Sequence, residues 1–184
     1  MLRQFWDRFL ALITRIVPSN FFDAEMGQWA VIVIDMQKCY LKGIHPYDRR
    51  EIIENQLKII EYCRLGDIPV VILEYKGDGK TIGKIKEAVQ GVPRARYLTK
   101  SRNNGFSGTG LAEILHDWGI KNVLLMGINA SYCVKETAKG ALEAGFRIAT
   151  SGALITNRKK ERRVKSASWF ARNGAYAKGF PKIS

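Results

Sequence analysis

Residues 29–37, WAVIVIDMQ, open with six apolar side chains in a row, a run closed by an acid, Asp35. A strand with one wet face alternates apolar and polar residues, whereas an unbroken apolar run belongs to a strand buried on both faces, as in a parallel sheet. Asp35 then stands at the carboxyl end of that strand, where the chain leaves the sheet.

Working outward from this strand, residues 48–66, DRREIIENQLKIIEYCRLG, carry an apolar stripe of Ile52, Ile53, Leu57 and Ile60. Asp48 and Glu51 have the spacing of a capping box and Gly66 follows as a stop, so a helix of about five turns is predicted. IPVVILEY (68–75) repeats the buried-strand pattern. The turn-rich stretch after it leaves room for one short helix around Ile82 to Val89. RYLTK (96–100) reads as a third strand, and a helix from Thr109, its expected N-cap, to Trp118 follows the loop SRNNGFSG. KNVLLMG (121–127), FRIAT (146–150) and AYAK (175–178) supply three more strands. Between them lie a helix after residue 130 and a closing helix over 159–173.

Strands alternating with helices predict a single α/β domain over residues 21–184, a three-layer α/β/α arrangement around a mainly parallel sheet of about six strands. Ahead of it, residues 1–20 place Leu2, Phe5, Trp6, Phe9, Ile13 and Ile16 at helical spacing, an amphipathic helix ending before Pro18. It is expected to pack on its own domain or on a sister subunit. Association with a membrane through residues 1–18 is the less favoured alternative.

The 184 residues are 46% hydrophobic and 26% charged, which excludes disordered and fibrous classes. The net charge of +13 is uneven: from Arg158 to Lys182, nine basic side chains face a single acid, Glu161. Such a run is most simply a solvated helix face, although it would also attract an anion. No zinc spacing or aromatic-rich strand accompanies it, so nucleic acid is not an expected partner. Cys39, Cys63 and Cys133 are odd in number and show no CxxC spacing. A reducing, cytoplasmic setting is expected, with no disulfide framework.

Chemistry is expected at the carboxyl ends of the strands, where α/β sheets bind ligands. Asp35, Lys100 and Cys133 all fall there. In GINASYCVKETAKGALEAGF (127–146), Cys133 stands where a loop turns into a helix, whose free N–H groups favour a thiolate. Neither His45 nor His116 falls at such a strand end, so Asp35 is the better placed base. Lys100 beside it would keep the carboxylate ionised and stabilise developing negative charge. Gln37, Tyr40, Tyr75, Arg102, Asn103, Phe106 and Tyr132 are candidates for lining the pocket by position, with packing or capping as their other reading.

Taken together, AVIVIDMQ, YLTKSRNNGFSGTGL and GINASYCVKETAKGALEAGF resemble the isochorismatase-like cysteine hydrolases, which include nicotinamidases and N-carbamoyl-amide hydrolases. The resemblance runs from about Gln28 to the end of the chain. It implies a catalytic triad of Asp35, Lys100 and Cys133, and a cis peptide between Ile128 and Asn129 that directs the Asn129 and Cys133 N–H groups at an oxyanion. It also implies hydrolysis of a C–N bond in a small amide, imide or carbamoyl compound, and a homo-oligomer. Nicotinamidases of this family carry a histidine-containing metal cluster after the second strand. The corresponding loop, EYKGDGKTIGK, has no histidine, so neither a metal nor another cofactor is expected.

Overall fold

The computed structural model describes residues 28–177, and the helix expected over residues 1–20 lies outside them. The apolar runs form parallel strands β1 (Trp29–Ile34), β2 (Val70–Tyr75), β3 (Ala95–Lys100), β4 (Asn122–Ile128), β5 (Arg147–Ser151), β6 (Ile155–Thr156) and β7 (Ala175–Ala177). They line up as β3-β2-β1-β4-β5-β7, with the two-residue β6 pairing beside the end of β4. Every strand pairing is parallel. The six strands read from sequence are all present; β6 is an addition too short for an apolar run to reveal.

The helices are α1 (Lys38–Leu41), α2 (Pro46–Leu65), α3 (Gly83–Gln90), α4 (Leu111–Asp117), α5 (Lys135–Glu143) and α6 (Lys160–Asn173), and a π-helical turn, Ala130–Val134, leads into α5. Alternation along the strands divides the core into two halves. Val31, Val33, Val70 and Ile72 pack with Ile59, Ile60 and Cys63 of α2 and Ile85 and Val89 of α3 on one face. Ala30, Ile32, Ile34 and Leu125 pack with Leu111 and Leu115 of α4, Ala138 and Ala141 of α5, and Phe170 of α6 on the other. This is the three-layer arrangement, and the sheet is apolar throughout because neither face meets water.

Two helix starts differ from the expectation. α2 begins at Pro46, with the His45 ring capping the Tyr47 N–H at 3.4 Å, three residues before the Asp48–Glu51 capping box would start it. Proline at the first helical position needs no N–H partner, which favours the earlier start. α4 takes Gly110, in a left-handed conformation, as its N-cap, while the hydroxyl of Thr109 accepts from the Leu111 N–H at 3.3 Å.

The chain runs from β1 to β2 and β3 on one side and then crosses back to β4 on the other. The switch lies between β1 and β4, and a crevice opens beyond their carboxyl ends. Gly127 permits that close approach: at φ 140° a side chain there would put its Cβ 2.1 Å from the Ile34 carbonyl oxygen.

Candidate active site

The three chemistry-bearing residues reach the crevice from three strands. Asp35 follows β1 in a left-handed conformation (φ 52°), which aspartate tolerates better than most side chains and which recurs where function over-determines a residue. Lys100 is the last residue of β3, and Cys133 sits in the π-helical turn after β4. All three are buried, Asp35 completely, Lys100 at 1% exposure and Cys133 at 4%. Lys100 Nζ lies 2.9 Å from Asp35 Oδ2, and the Cys133 thiol is close enough to the same carboxyl group for each to shift the other's acidity. Residues separated by 65 and 33 positions along the chain therefore meet at one carboxylate.

The electrostatics differ from the expectation of a resting thiolate. Burial, followed by the neighbouring Asp35 charge, pushes the Cys133 thiol up to about 12, and Lys100 offsets this only in part. Asp35 is likewise raised above the usual carboxylate range, first by burial, with Lys100 and the Cys133 hydrogen bond pulling the other way. The resting thiol thus keeps its proton. The helix-start effect counted on from sequence is outweighed by the absence of water around the sulfur.

An amide oxygen accepts from the same sulfur. Asn103 Oδ1 is 3.4 Å from Cys133 Sγ. Its loop is latched to α5, because the Thr137 hydroxyl accepts from the Gly105 N–H at 2.9 Å and donates to the Asn103 carbonyl at 3.3 Å. The aromatic face of Tyr75 covers Lys100 Nζ at 4.4 Å, and the Tyr75 hydroxyl donates to the Ser101 carbonyl at 2.9 Å. The ammonium is thereby held against Asp35 from behind.

The remaining candidates divide. Gln37 is buried and fully engaged: its Nε2 donates to the Tyr75 and Gly79 carbonyls at 3.0 and 2.7 Å, and its Oε1 accepts from the Tyr75 N–H at 2.8 Å. It clamps the loop after β2 and has no N–H to spare for a ligand. The Phe106 ring packs 5.8 Å from Phe146, on the α4 side of the core. Tyr40 donates to the Asp78 carboxylate at 2.5 Å. Its hydroxyl is raised by burial first and then by that bond, with the Asp35 charge adding. Tyr132 is 44% exposed beside Cys133, and Arg102 lies exposed at the mouth, its Nη1 donating to the Ser107 hydroxyl at 3.1 Å. The peptide between Ile128 and Asn129 is cis.

These features fall within a known group. The family model for the isochorismatase domain matches residues 29–175. The chain belongs to the isochorismatase family. Among relatives of this isochorismatase-family enzyme, Nicotinamidase 3 of Arabidopsis thaliana is 27% identical over 65% of this chain and 68% of its own length. A streptothricin hydrolase of Streptomyces noursei is 25% identical, but the match spans only 50% of that protein. The solved N-carbamoylsarcosine amidase of Thermoplasma acidophilum superposes with a TM-score of 0.70 and 26% identity, covering 85% of this chain and 99% of that one.

Among the described residues no three histidine, cysteine, aspartate or glutamate side chains converge on one point. In the loop after β2, Asp78 already accepts from Tyr40 through its carboxylate and from Cys39 through its carbonyl. No helix among the described residues is long and apolar enough to cross a membrane.

Proposed function

We propose that this enzyme hydrolyses a C–N bond of a small amide, imide or carbamoyl compound through a thioester on Cys133. The reading is carried by one observation: a wholly buried carboxylate, Asp35, with an ammonium 2.9 Å away and the Cys133 thiol close enough to shift its acidity. Nothing in folding favours burying that trio, since ion pairs removed from water contribute little net stability. The amide-cleaving names of the relatives agree with it.

In the proposed cycle the Cys133 proton passes to Asp35 as the sulfur attacks the carbonyl carbon. The C=O electron pair moves onto oxygen, where the N–H groups of Asn129 and Cys133 receive it. When the oxyanion collapses, the C–N bond breaks and the departing nitrogen takes the proton from Asp35, leaving a thioester and ammonia or an amine. A water molecule then gives its proton to Asp35 and adds to the thioester carbon. Collapse releases the acid, and the sulfur recovers its proton from Asp35. Because the thiol starts neutral, proton transfer and attack occur together, and Lys100 holds the carboxylate basic enough to receive the proton.

A screen of small amides, ureas and carbamoyl compounds for ammonia release tests the proposal. Cys133→Ala and Cys133→Ser should lower turnover by more than about a thousandfold while leaving the thermal transition nearly unmoved. An active Cys133→Ala enzyme would refute the proposal. Thiol labelling has to be done in a Cys39→Ser background, since Cys39 is the exposed sulfur and a reagent reaches it first.

A further inference from the structure

Residues 151–157 form a strap that leaves β5, turns, and runs as β6 beside the end of β4. The turn is tight: the Ser151 carbonyl accepts from the Leu154 N–H at 3.0 Å, and the Ser151 hydroxyl from the Ala153 N–H at 3.1 Å. At its far end the strap meets the π-helical turn that carries Cys133, where Asn157 Oδ1 accepts from the Ser131 hydroxyl at 3.3 Å. Between these points Ile155 and Thr156 pair with Gly127 and Ile128, the residues that lead into Asn129. Leu154 packs in the core half that holds α2 and Ile155 in the half that holds α5, so the strap passes from one layer of the molecule to the other.

On the α2 side two amides grip it. Asn55 Nδ2 donates to the Ala153 carbonyl at 3.3 Å and Gln56 Nε2 to the Leu154 carbonyl at 3.0 Å, each across 98 positions of chain. Gln56 is wholly buried, yet folding alone gives no reason for an amide there. The Leu154 carbonyl already accepts from the Gly127 N–H at 3.0 Å, so an apolar side chain in place of Gln56 would not orphan it. Because a carbonyl only accepts, the amide must turn its Nε2 toward Leu154. Its own Oε1 is then left in the core with no hydrogen-bond partner among the described residues, which costs stability. What the amide adds is a second bond on the one carbonyl that also holds Gly127, two residues ahead of Asn129.

We propose that Gln56 is a positioning residue: through the Leu154 carbonyl it fixes β6 against the end of β4, and so sets where the Asn129 and Cys133 N–H groups stand to receive the oxyanion. This rests on the hydrolase reading above and adds to it a residue from the far layer of the sheet. The path from strap to nucleophile is short. Ser131 ties the turn to Asn157 from one side, and the Asn129 carbonyl accepts from the Tyr132 and Val134 N–H groups, at 3.0 and 3.1 Å, on either side of Cys133. A strap that slips would turn the two N–H groups away from a common point, and misplacement of that kind weakens an oxyanion site without emptying the pocket.

Two probes read the turn without a known substrate, both in full-length protein carrying Cys39→Ser. With isotope-labelled acetaldehyde, the Cys133 sulfur bonds to the carbonyl carbon and the aldehyde oxygen takes up the thiol proton. The resulting hemithioacetal puts that oxygen where the oxyanion would stand, and carbon NMR reads its dissociation constant. Iodoacetamide alkylates the same sulfur, with iodide leaving and the thiol proton passing to solvent, and forms no oxyanion. Gln56→Met should weaken the acetaldehyde adduct by about tenfold, and lower kcat by a similar factor with KM nearly unchanged on any amide the wild type hydrolyses, while the iodoacetamide rate stays within about twofold. Ile59→Val, a packing change at a buried position of the same helix, controls for lost stability and should leave the adduct unchanged. An adduct no weaker in Gln56→Met than in Ile59→Val overturns the proposal, as does a wild type that forms none. Alkylation that slows in step with the adduct would mean that Gln56 holds the sulfur rather than the N–H groups, and overturns it as well. Should Gln56→Met not fold, Ser131→Ala cuts the strap at its other end and should weaken the adduct severalfold; an unchanged adduct there is the overturning result. Adduct formation by a wild type that releases ammonia from no amide would overturn the hydrolase reading alone.

Discussion

Asp35 is held in an unfavourable ionisation state on purpose of position: a carboxylate without water, balanced by one ammonium. The Asp35 proton, held more tightly than in a free carboxyl group, and the protonated Cys133 set the pH behaviour. Log kcat/KM should lose activity on the acid side at a pH above 3.8, where Asp35 takes up its proton, and should show no rise between pH 7 and 9 from thiolate formation. An activity limb tracking an ordinary thiol near pH 8.5 would contradict this. Lys100→Met leaves the charge on Asp35 uncompensated and should cost about 3–5 kcal/mol at neutral pH. The sign follows from linkage: with Asp35 raised further, the native variant binds more protons than its unfolded chain. Its stability is therefore fully present below pH 3.8 and is lost as pH rises through the folded-state value, so the deficit against wild type, read from thermal unfolding at pH 4 and pH 7, should grow. Asn103→Ala should change kcat more than the folding midpoint, because it removes the amide oxygen facing the sulfur without opening the core.

Among the elements, the latch between α5 and the loop after β3 controls how Asn103 is presented. Thr137→Val removes the hydroxyl that serves both the Gly105 N–H and the Asn103 carbonyl, and should cost about 1–3 kcal/mol of stability together with a fall in activity measured at saturating substrate. Gly127→Ala should be worse, because the obstacle is the backbone oxygen of Ile34 and a sheet cannot step aside as a side chain can; soluble yield is the measurement. Most of these elements were legible in the chain. The apolar runs at Trp29, Val70 and Asn122 are buried on both faces and announce parallel strands. Asp35 and Cys133 could be placed at strand ends because each comes after such a run, and Lys100 because it ends the short third strand. Other features were not. β6 is two residues long, the His45 cap competes with a better-looking capping box, and Gln37 looked like a pocket residue because sequence does not say which loop its amide clamps. The protonated state of Cys133 depends on how much water the fold excludes, which no spacing reports.

On the scale of the whole molecule, the net charge of +13 sets up a field that draws in anions. The reaction should accordingly be salt-sensitive: kcat/KM for an anionic amide should fall several-fold between low and 0.3 M salt, while that for a neutral amide stays level. The sheet order has a separate consequence. Trp29 pairs with Asn122, and Ile34 with Gly127, so the two central strands that form the crevice are joined only across some 93 residues of intervening chain. Loop closure of that span must precede any native contact between them, and topologies of this kind fold slowly. No early, locally ordered species can contain the reactive centre. On dilution from denaturant, recovery of catalysis should therefore coincide with the slowest structural phase, and a chaperone that shields exposed β1 during that delay should raise the yield of working enzyme.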